Sequence, residues 1–124
     1  MYRSRRMALI VSIAVAVASC ANGPLPVAEW ESRWAETTAL VTAARDAAIT
    51  EAECGRTLSQ LREVRPDLSP PPIEDLEVPV DQWFDEAEDV FFECEFSDSE
   101  TISRAFRTLE TLRAEVETVL SLEG

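Results

Sequence analysis

The sequence of 124 residues predicts an all-α protein, either an antiparallel helical hairpin or a small three-helix bundle stapled by one disulfide. Apolar residues recur every three or four positions through three long segments, which is the spacing of one face of a helix. No segment alternates apolar and polar residues as a half-buried strand would. The two cysteines in the predicted helices, Cys54 and Cys94, both fall on these apolar faces.

The first predicted helix begins at about Val27, directly after Pro26, and extends over residues 27–64. A kink or break near residues 50–55 stays open, because the weak helix former Gly55 lies there. Pro66 is expected to end the helix, since proline lacks the backbone N–H and crowds the preceding turn. Residues 66–80 contain five prolines and are expected to form a rigid connection.

The second predicted helix begins at Asp81, whose side chain can cap the first turn. Its apolar residues follow a spacing of four and three, so they define one continuous face. That face consists of Val80, Phe84, Ala87, Phe91 and Cys94.

The third predicted helix begins at a capping box formed by Ser97 and Glu100. It can continue along the second helix as an elongated hairpin, which the similar lengths of the arms 27–64 and 81–122 favour. Alternatively it folds back at residues 96–99 into a compact bundle, which would cover Phe92 and Phe96.

Cys54 and Cys94 are predicted to form a disulfide. An exported compartment, which the N-terminus described below indicates, is oxidising, and once Cys20 is assigned to the N-terminal segment the two remaining cysteines allow only one pair. Closing a loop of about 40 residues stabilises a fold by about 4 kcal/mol in the chain-entropy model. Two separate buried thiols are the alternative.

The N-terminus has the composition of a secretory signal. Arg3, Arg5 and Arg6 precede an uncharged apolar run over residues 7–19. This run is shorter than the roughly 20 residues that a membrane-spanning helix needs. Residues 1–19 are therefore predicted to be a cleaved signal peptide.

The end of this run, Val17-Ala18-Ser19-Cys20, resembles the lipobox of bacterial lipoproteins. The resemblance implies a diacylglyceryl group on the Cys20 sulfur and cleavage after Ser19. The protein would then be held at the extracytoplasmic face of the cell membrane, with residues 20–26 as a tether and 27–124 as a helical domain. Ordinary signal-peptide cleavage that leaves Cys20 as a free thiol is the alternative.

The mature chain from Cys20 carries eight arginines against 24 acidic residues, a formal charge of −16. Such a surface repels nucleic acid and anionic headgroups, so neither is an expected partner. The expected partners are the membrane that holds the lipid and a protein with a basic surface.

The chain contains no histidine and only three glycines, which removes the imidazole bases, histidine metal ligands and phosphate-cradling loops. We therefore expect no catalytic residues, no metal site and no cofactor. A deep cleft with two converging carboxylates would be needed to support a hydrolase.

The candidate partner surface lies on the second predicted helix, within an acidic segment from residue 74 to residue 100. Its predicted members are Asp85, Glu88, Asp89, Phe92, Glu95 and Phe96. The alternatives are a solvated face that keeps an exported protein soluble, or a binding site for an apolar or cationic small ligand. A cavity lined by Trp34, Phe84 and Phe91 would indicate such a ligand. A tight core with an exposed patch near Phe92 and Phe96 would indicate an interaction module.

Overall fold

The structure, a computed structural model, describes residues 24–46, 51–94 and 98–123. These residues form four α-helices and one turn of 3-10 helix, with no strand among them. The helices are α1 (Val27–Asp46), α2 (Glu51–Leu68), α3 (Glu77–Glu93) and α4 (Ser99–Glu123), and the 3-10 turn Glu74–Leu76 directly precedes α3. The all-α prediction is confirmed.

Helices α1 and α2 are antiparallel neighbours. The indole Nε1 of Trp30 donates a hydrogen bond of 3.0 Å to the carbonyl oxygen of Leu68. Arg33 and Asp67 form an ion pair of 3.1 Å beside it. A single continuous helix would hold residues 30 and 68 roughly 57 Å apart. Of the two possibilities that the sequence leaves open for residues 27–64, the structure therefore has two helices and not one.

Helix α2 continues through Pro66 to Leu68, so the expectation that Pro66 ends the helix is also wrong. The backbone N–H of Ser69 donates to the carbonyl oxygen of Arg65 at 2.9 Å, which extends the helical pattern past the proline. Leu68 is completely buried and accepts the Trp30 bond. These contacts offset the one backbone hydrogen bond that Pro66 cannot donate.

Helix α3 begins at Glu77, four residues before the predicted cap at Asp81. Pro79 is compatible with this start because it lies in the first turn, where a backbone N–H has no partner in the helix. The preceding turn is fixed by Leu76, which is completely buried. Asp81 therefore lies inside α3, and its carboxylate accepts a 3.0 Å hydrogen bond from the Ser69 hydroxyl.

Helix α4 is capped by Asp98, whose carboxylate accepts a 2.7 Å hydrogen bond from the backbone N–H of Thr101. This backbone hydrogen bond lowers the pKa of Asp98 below its ordinary value. Ser97, the predicted cap, lies outside the described residues.

Helix α4 folds back and runs antiparallel to α3, so the structure is the compact bundle and not the elongated hairpin. The rings of Phe91 and Phe106 meet edge to face at 5.9 Å, and α4 also contacts the 3-10 turn before α3. Arg45 of α1 pairs with Glu110 of α4, which places α4 against α1 as well. The similar lengths of the segments 27–64 and 81–122 favoured the hairpin, but residues 27–64 are divided between two helices.

A disulfide joins Cys54 of α2 to Cys94 at the end of α3, with Cα atoms 6.6 Å apart, and confirms that prediction. All five residues of the predicted apolar face, Val80, Phe84, Ala87, Phe91 and Cys94, are buried in the core. Within the described part of the chain, no helix is long and apolar enough to cross a bilayer.

Candidate functional site: the acidic rows of α3

Helix α3 presents two rows of acidic side chains outside the core. Its inner positions are filled by the buried residues Val80, Trp83, Phe84, Ala87, Val90 and Phe91. The acidic residues between these positions must therefore lie on the two flanks of the helix. We call Asp81, Asp85 and Glu88 the α2 row, and Glu86, Asp89 and Glu93 the α4 row.

The α2 row is paired with arginines of the neighbouring helix. Arg65 contacts Glu88 at 2.6 Å, Asp85 at 2.9 Å and Asp81 at 3.8 Å. Its guanidinium also lies 5.3 Å from the centre of the Phe84 ring, a cation–π distance.

Partial burial lowers the pKa of Arg65, but its hydrogen bonds to Glu88 and Asp85 outweigh this and raise the pKa above its ordinary value. Arg62 adds a 3.5 Å contact to Glu88. The α2 row is therefore largely neutralised within the protein.

The α4 row lines an open cleft of about 190 Å³ between α3 and α4. The apolar side chains of Val90, Ile102 and Ala105 line the same cleft. Burial, with a contribution from the charge of Asp89, raises the pKa of Glu86 above its ordinary value. Among the described residues, no arginine forms an ion pair with any member of this row.

The predicted partner surface is thus divided between two flanks of α3. Asp85 and Glu88 belong to the paired α2 row, whereas Asp89 belongs to the α4 row. Phe92 is 63% exposed, so the fold-back of α4 does not cover it, contrary to what was expected of a compact bundle. Its exposure does fit the alternative expectation of a contact residue. Glu95 and Phe96 lie outside the described residues.

The partner surface predicted from the sequence did not include two members of the α4 row, Glu86 and Glu93. Their spacing with Asp89, three and four residues, does place all three on one helical face. That signal becomes informative only when α4 is known to pack beside this face.

The aromatic side chains form a tightly packed core. Trp34 stacks on Trp30 at 5.5 Å and meets the edge of Trp83 at 5.0 Å, and Trp83 contacts Phe84 at 5.1 Å. All four are at least 97% buried. The predicted ligand-lining residues Trp34, Phe84 and Phe91 instead pack against other rings, and the α3–α4 cleft is lined by different residues.

A second open cleft, of about 230 Å³, lies between α1 and α4. Arg45, Arg107 and Glu110 line it together with Phe106. Arg45 is already engaged by Glu110 and Asp46, and these hydrogen bonds raise its pKa above the ordinary value. The α1–α4 cleft thus has arginines where the α3–α4 cleft has unpaired carboxylates.

Comparison with protein-family models, with curated proteins and with solved structures finds no match to this chain. The geometry alone therefore defines the candidate site. The described residues contain no group of three or more acidic or cysteine side chains arranged to hold a metal ion. The lipobox residues Val17, Ala18, Ser19 and Cys20 lie outside the described residues.

Proposed function

We propose that the protein is a lipid-anchored extracytoplasmic interaction module that binds a basic protein partner and has no catalytic role. The anchor is the diacylglyceryl group implied by Val17-Ala18-Ser19-Cys20. Each buried methylene of a lipid chain contributes about 0.8 kcal/mol, so two chains hold a protein firmly where one holds it marginally. The partner surface is the α4 row with its cleft and the neighbouring Phe92.

The contrast between the two acidic rows supports the proposal of a basic protein partner. Arg62 and Arg65 neutralise the α2 row, whereas the α4 row has no arginine partner among the described residues. Like charges three or four residues apart on a helix destabilise it by a few tenths of a kcal/mol per pair. An arginine or lysine of a partner would relieve this repulsion between Glu86, Asp89 and Glu93.

The cleft also suits the stem of such a side chain. Val90, Ile102 and Ala105 offer apolar contacts beside the carboxylates. Long basic side chains bury their methylene groups against apolar surface while the charged head contacts a polar group. The exposed ring of Phe92 adds an aromatic contact of the kind enriched at protein interfaces.

The test of the partner surface is crosslinking on intact cells followed by affinity measurements with the captured protein. The variant Glu86→Gln/Asp89→Asn/Glu93→Gln should weaken binding, and the affinity of the unaltered protein should fall as salt is added. The matched control Glu29→Gln/Glu31→Gln/Glu36→Gln removes the same charge from exposed positions on α1 and should bind almost normally. Equal losses in the two variants would show that net charge, and not this cleft, attracts the partner.

The anchor is tested separately by cell fractionation. Cys20→Ala should move the protein from the membrane fraction to the medium or soluble extracytoplasmic fraction. Retention in the membrane until detergent is added would contradict lipid attachment at Cys20.

A small aliphatic amine is the second candidate ligand, because the α3–α4 cleft combines apolar walls with carboxylates. Titration with hexylammonium should shift the backbone amide resonances of Val90 and Ile102, whereas hexanol should shift them much less. Equal shifts with both compounds would exclude a role for the carboxylates.

A further inference from the structure

Three of the four large apolar side chains that are exposed among the described residues belong to one end of the bundle. Val27 is 41% exposed, Val78 is 65% exposed and Leu122 is 81% exposed. The fourth, Phe92, lies near the opposite end of α3.

The antiparallel helix order places these three residues at the same end of the bundle. Trp30, near the start of α1, bonds to Leu68 at the end of α2. Ser69, just beyond α2, bonds to Asp81 near the start of α3. Helix α4 runs antiparallel to α3, so Leu122 near its end lies at the same end of the bundle as Val78.

The chain enters the bundle at this same end. The described residues begin at Pro24, and the carbonyl oxygen of Pro26 accepts the hydrogen bond of Trp30 N–H at 2.8 Å. Cys20 precedes Pro24 by four residues, and four extended residues span at most about 14 Å. Lipid on Cys20 would therefore hold this end of the bundle close to the membrane surface.

We infer that the bundle stands end-on, with Val27, Val78 and Leu122 in contact with the interface of the membrane that holds the lipid. This inference rests on the proposed lipid anchor and adds an orientation to it. Residue 92 lies about 21 Å further along the helix axis than residue 78, at 1.5 Å per residue. The partner surface then faces away from the bilayer, where a soluble extracytoplasmic partner can reach it.

The acidic residues at this end of the bundle determine which lipid headgroups it can contact. Glu74, Glu77 and Glu123 are exposed at the same end. They repel anionic headgroups, and the repulsion weakens as salt is added. The contact is therefore made with zwitterionic headgroups and is weakened by anionic lipid at low ionic strength.

The test uses the lipidated full protein on phosphatidylcholine vesicles with a fluorescent nitrobenzoxadiazole label at one introduced cysteine. Leu122→Cys reports on the proposed contact, and Phe92→Cys is the matched control because both side chains are apolar and exposed. We expect fluorescence at position 122 to rise severalfold on vesicle binding and to resist quenching by aqueous dithionite. Fluorescence at position 92 should stay near its value in solution.

Two further measurements complete the test. Val27→Ser/Val78→Ser should reduce the fluorescence rise at position 122 while the protein still floats with the vesicles. Equal signals at positions 92 and 122 in a protein that floats would overturn the end-on orientation and leave the anchor intact. A protein that does not float would overturn the anchor and, with it, the orientation.

Discussion

Replacement of Arg65 by methionine should destabilise the protein through the loss of its contacts with α3. The Arg65 and Glu88 side chains are only 27% and 20% exposed, and their atoms approach to 2.6 Å. A hydrogen bond to a charged group contributes about 1.5–3 kcal/mol when it is shielded from water. The contacts with Asp85 and Asp81 contribute only a few tenths of a kcal/mol, because both carboxylates are well exposed.

The expected loss in the free energy of unfolding is therefore about 2 kcal/mol, or a fall in Tm of roughly 10 °C for a chain of this size. The assay is urea unfolding of the mature protein with Cys20→Ala and the disulfide intact. Methionine keeps an unbranched apolar side chain at position 65, so the measurement reports mainly the loss of the guanidinium, including its contact with the Phe84 ring. Arg62→Met is the matched control and should lose less than about 0.5 kcal/mol, because Arg62 is 59% exposed and 3.5 Å from Glu88. Equal losses in the two variants would show that the shielded Arg65–Glu88 contact does not stabilise the fold more than the exposed Arg62 contact does.

Three other predictions concern stability. Trp30→Phe should cost about 1–2 kcal/mol more than Trp34→Phe in urea unfolding. Trp30 donates to the buried carbonyl of Leu68, whereas the indole N–H of Trp34 has no hydrogen-bond partner among the described residues. Equal losses would contradict the importance of the Trp30 bond. The raised pKa of Glu86 means that its ionisation weakens the folded state, so Glu86→Gln should stabilise the protein by a few tenths of a kcal/mol at neutral pH. This gain should vanish as the pH falls below the ordinary glutamate pKa, and a gain that persists there would exclude the charge as its cause. Cys54→Ser/Cys94→Ser should lower the free energy of unfolding by about 4 kcal/mol in the chain-entropy model, and an unchanged urea midpoint would contradict it.

Local sequence patterns predicted those parts of the fold in which the type of a residue indicates whether its side chain is buried. The four-three spacing of Phe84, Ala87 and Phe91 predicted the buried face of α3, because a helix can bury only one stripe against its neighbours. The disulfide was predictable because Cys54 and Cys94 both lie on apolar helix faces and form the one pair left after Cys20 is assigned.

The predictions that failed depend on contacts between distant residues. Pro66 is tolerated in the last turn of α2 because Leu68 beyond it is buried and bonded to Trp30, 38 residues away. Asp81 is not a cap because Leu76 anchors an earlier start of α3. Neither contact leaves a signal in the local sequence.

The candidate site was likewise predictable only in part. The acidic character of α3 follows from its sequence, whereas the exposure of Phe92 in a compact bundle does not, because a fold-back of α4 was expected to cover it. The division into a row paired by Arg65 and a row without such a partner depends on which helices flank α3. That arrangement is a property of the folded bundle.

Mass analysis of the N-terminal peptide from the native, membrane-extracted protein tests the anchor most directly. For a lipid-anchored protein we expect a chain that begins at Cys20 and carries a diacylglyceryl group on its sulfur. A peptide that begins at Met1, or a Cys20 with an unmodified thiol, would contradict the anchor and the end-on orientation that depends on it.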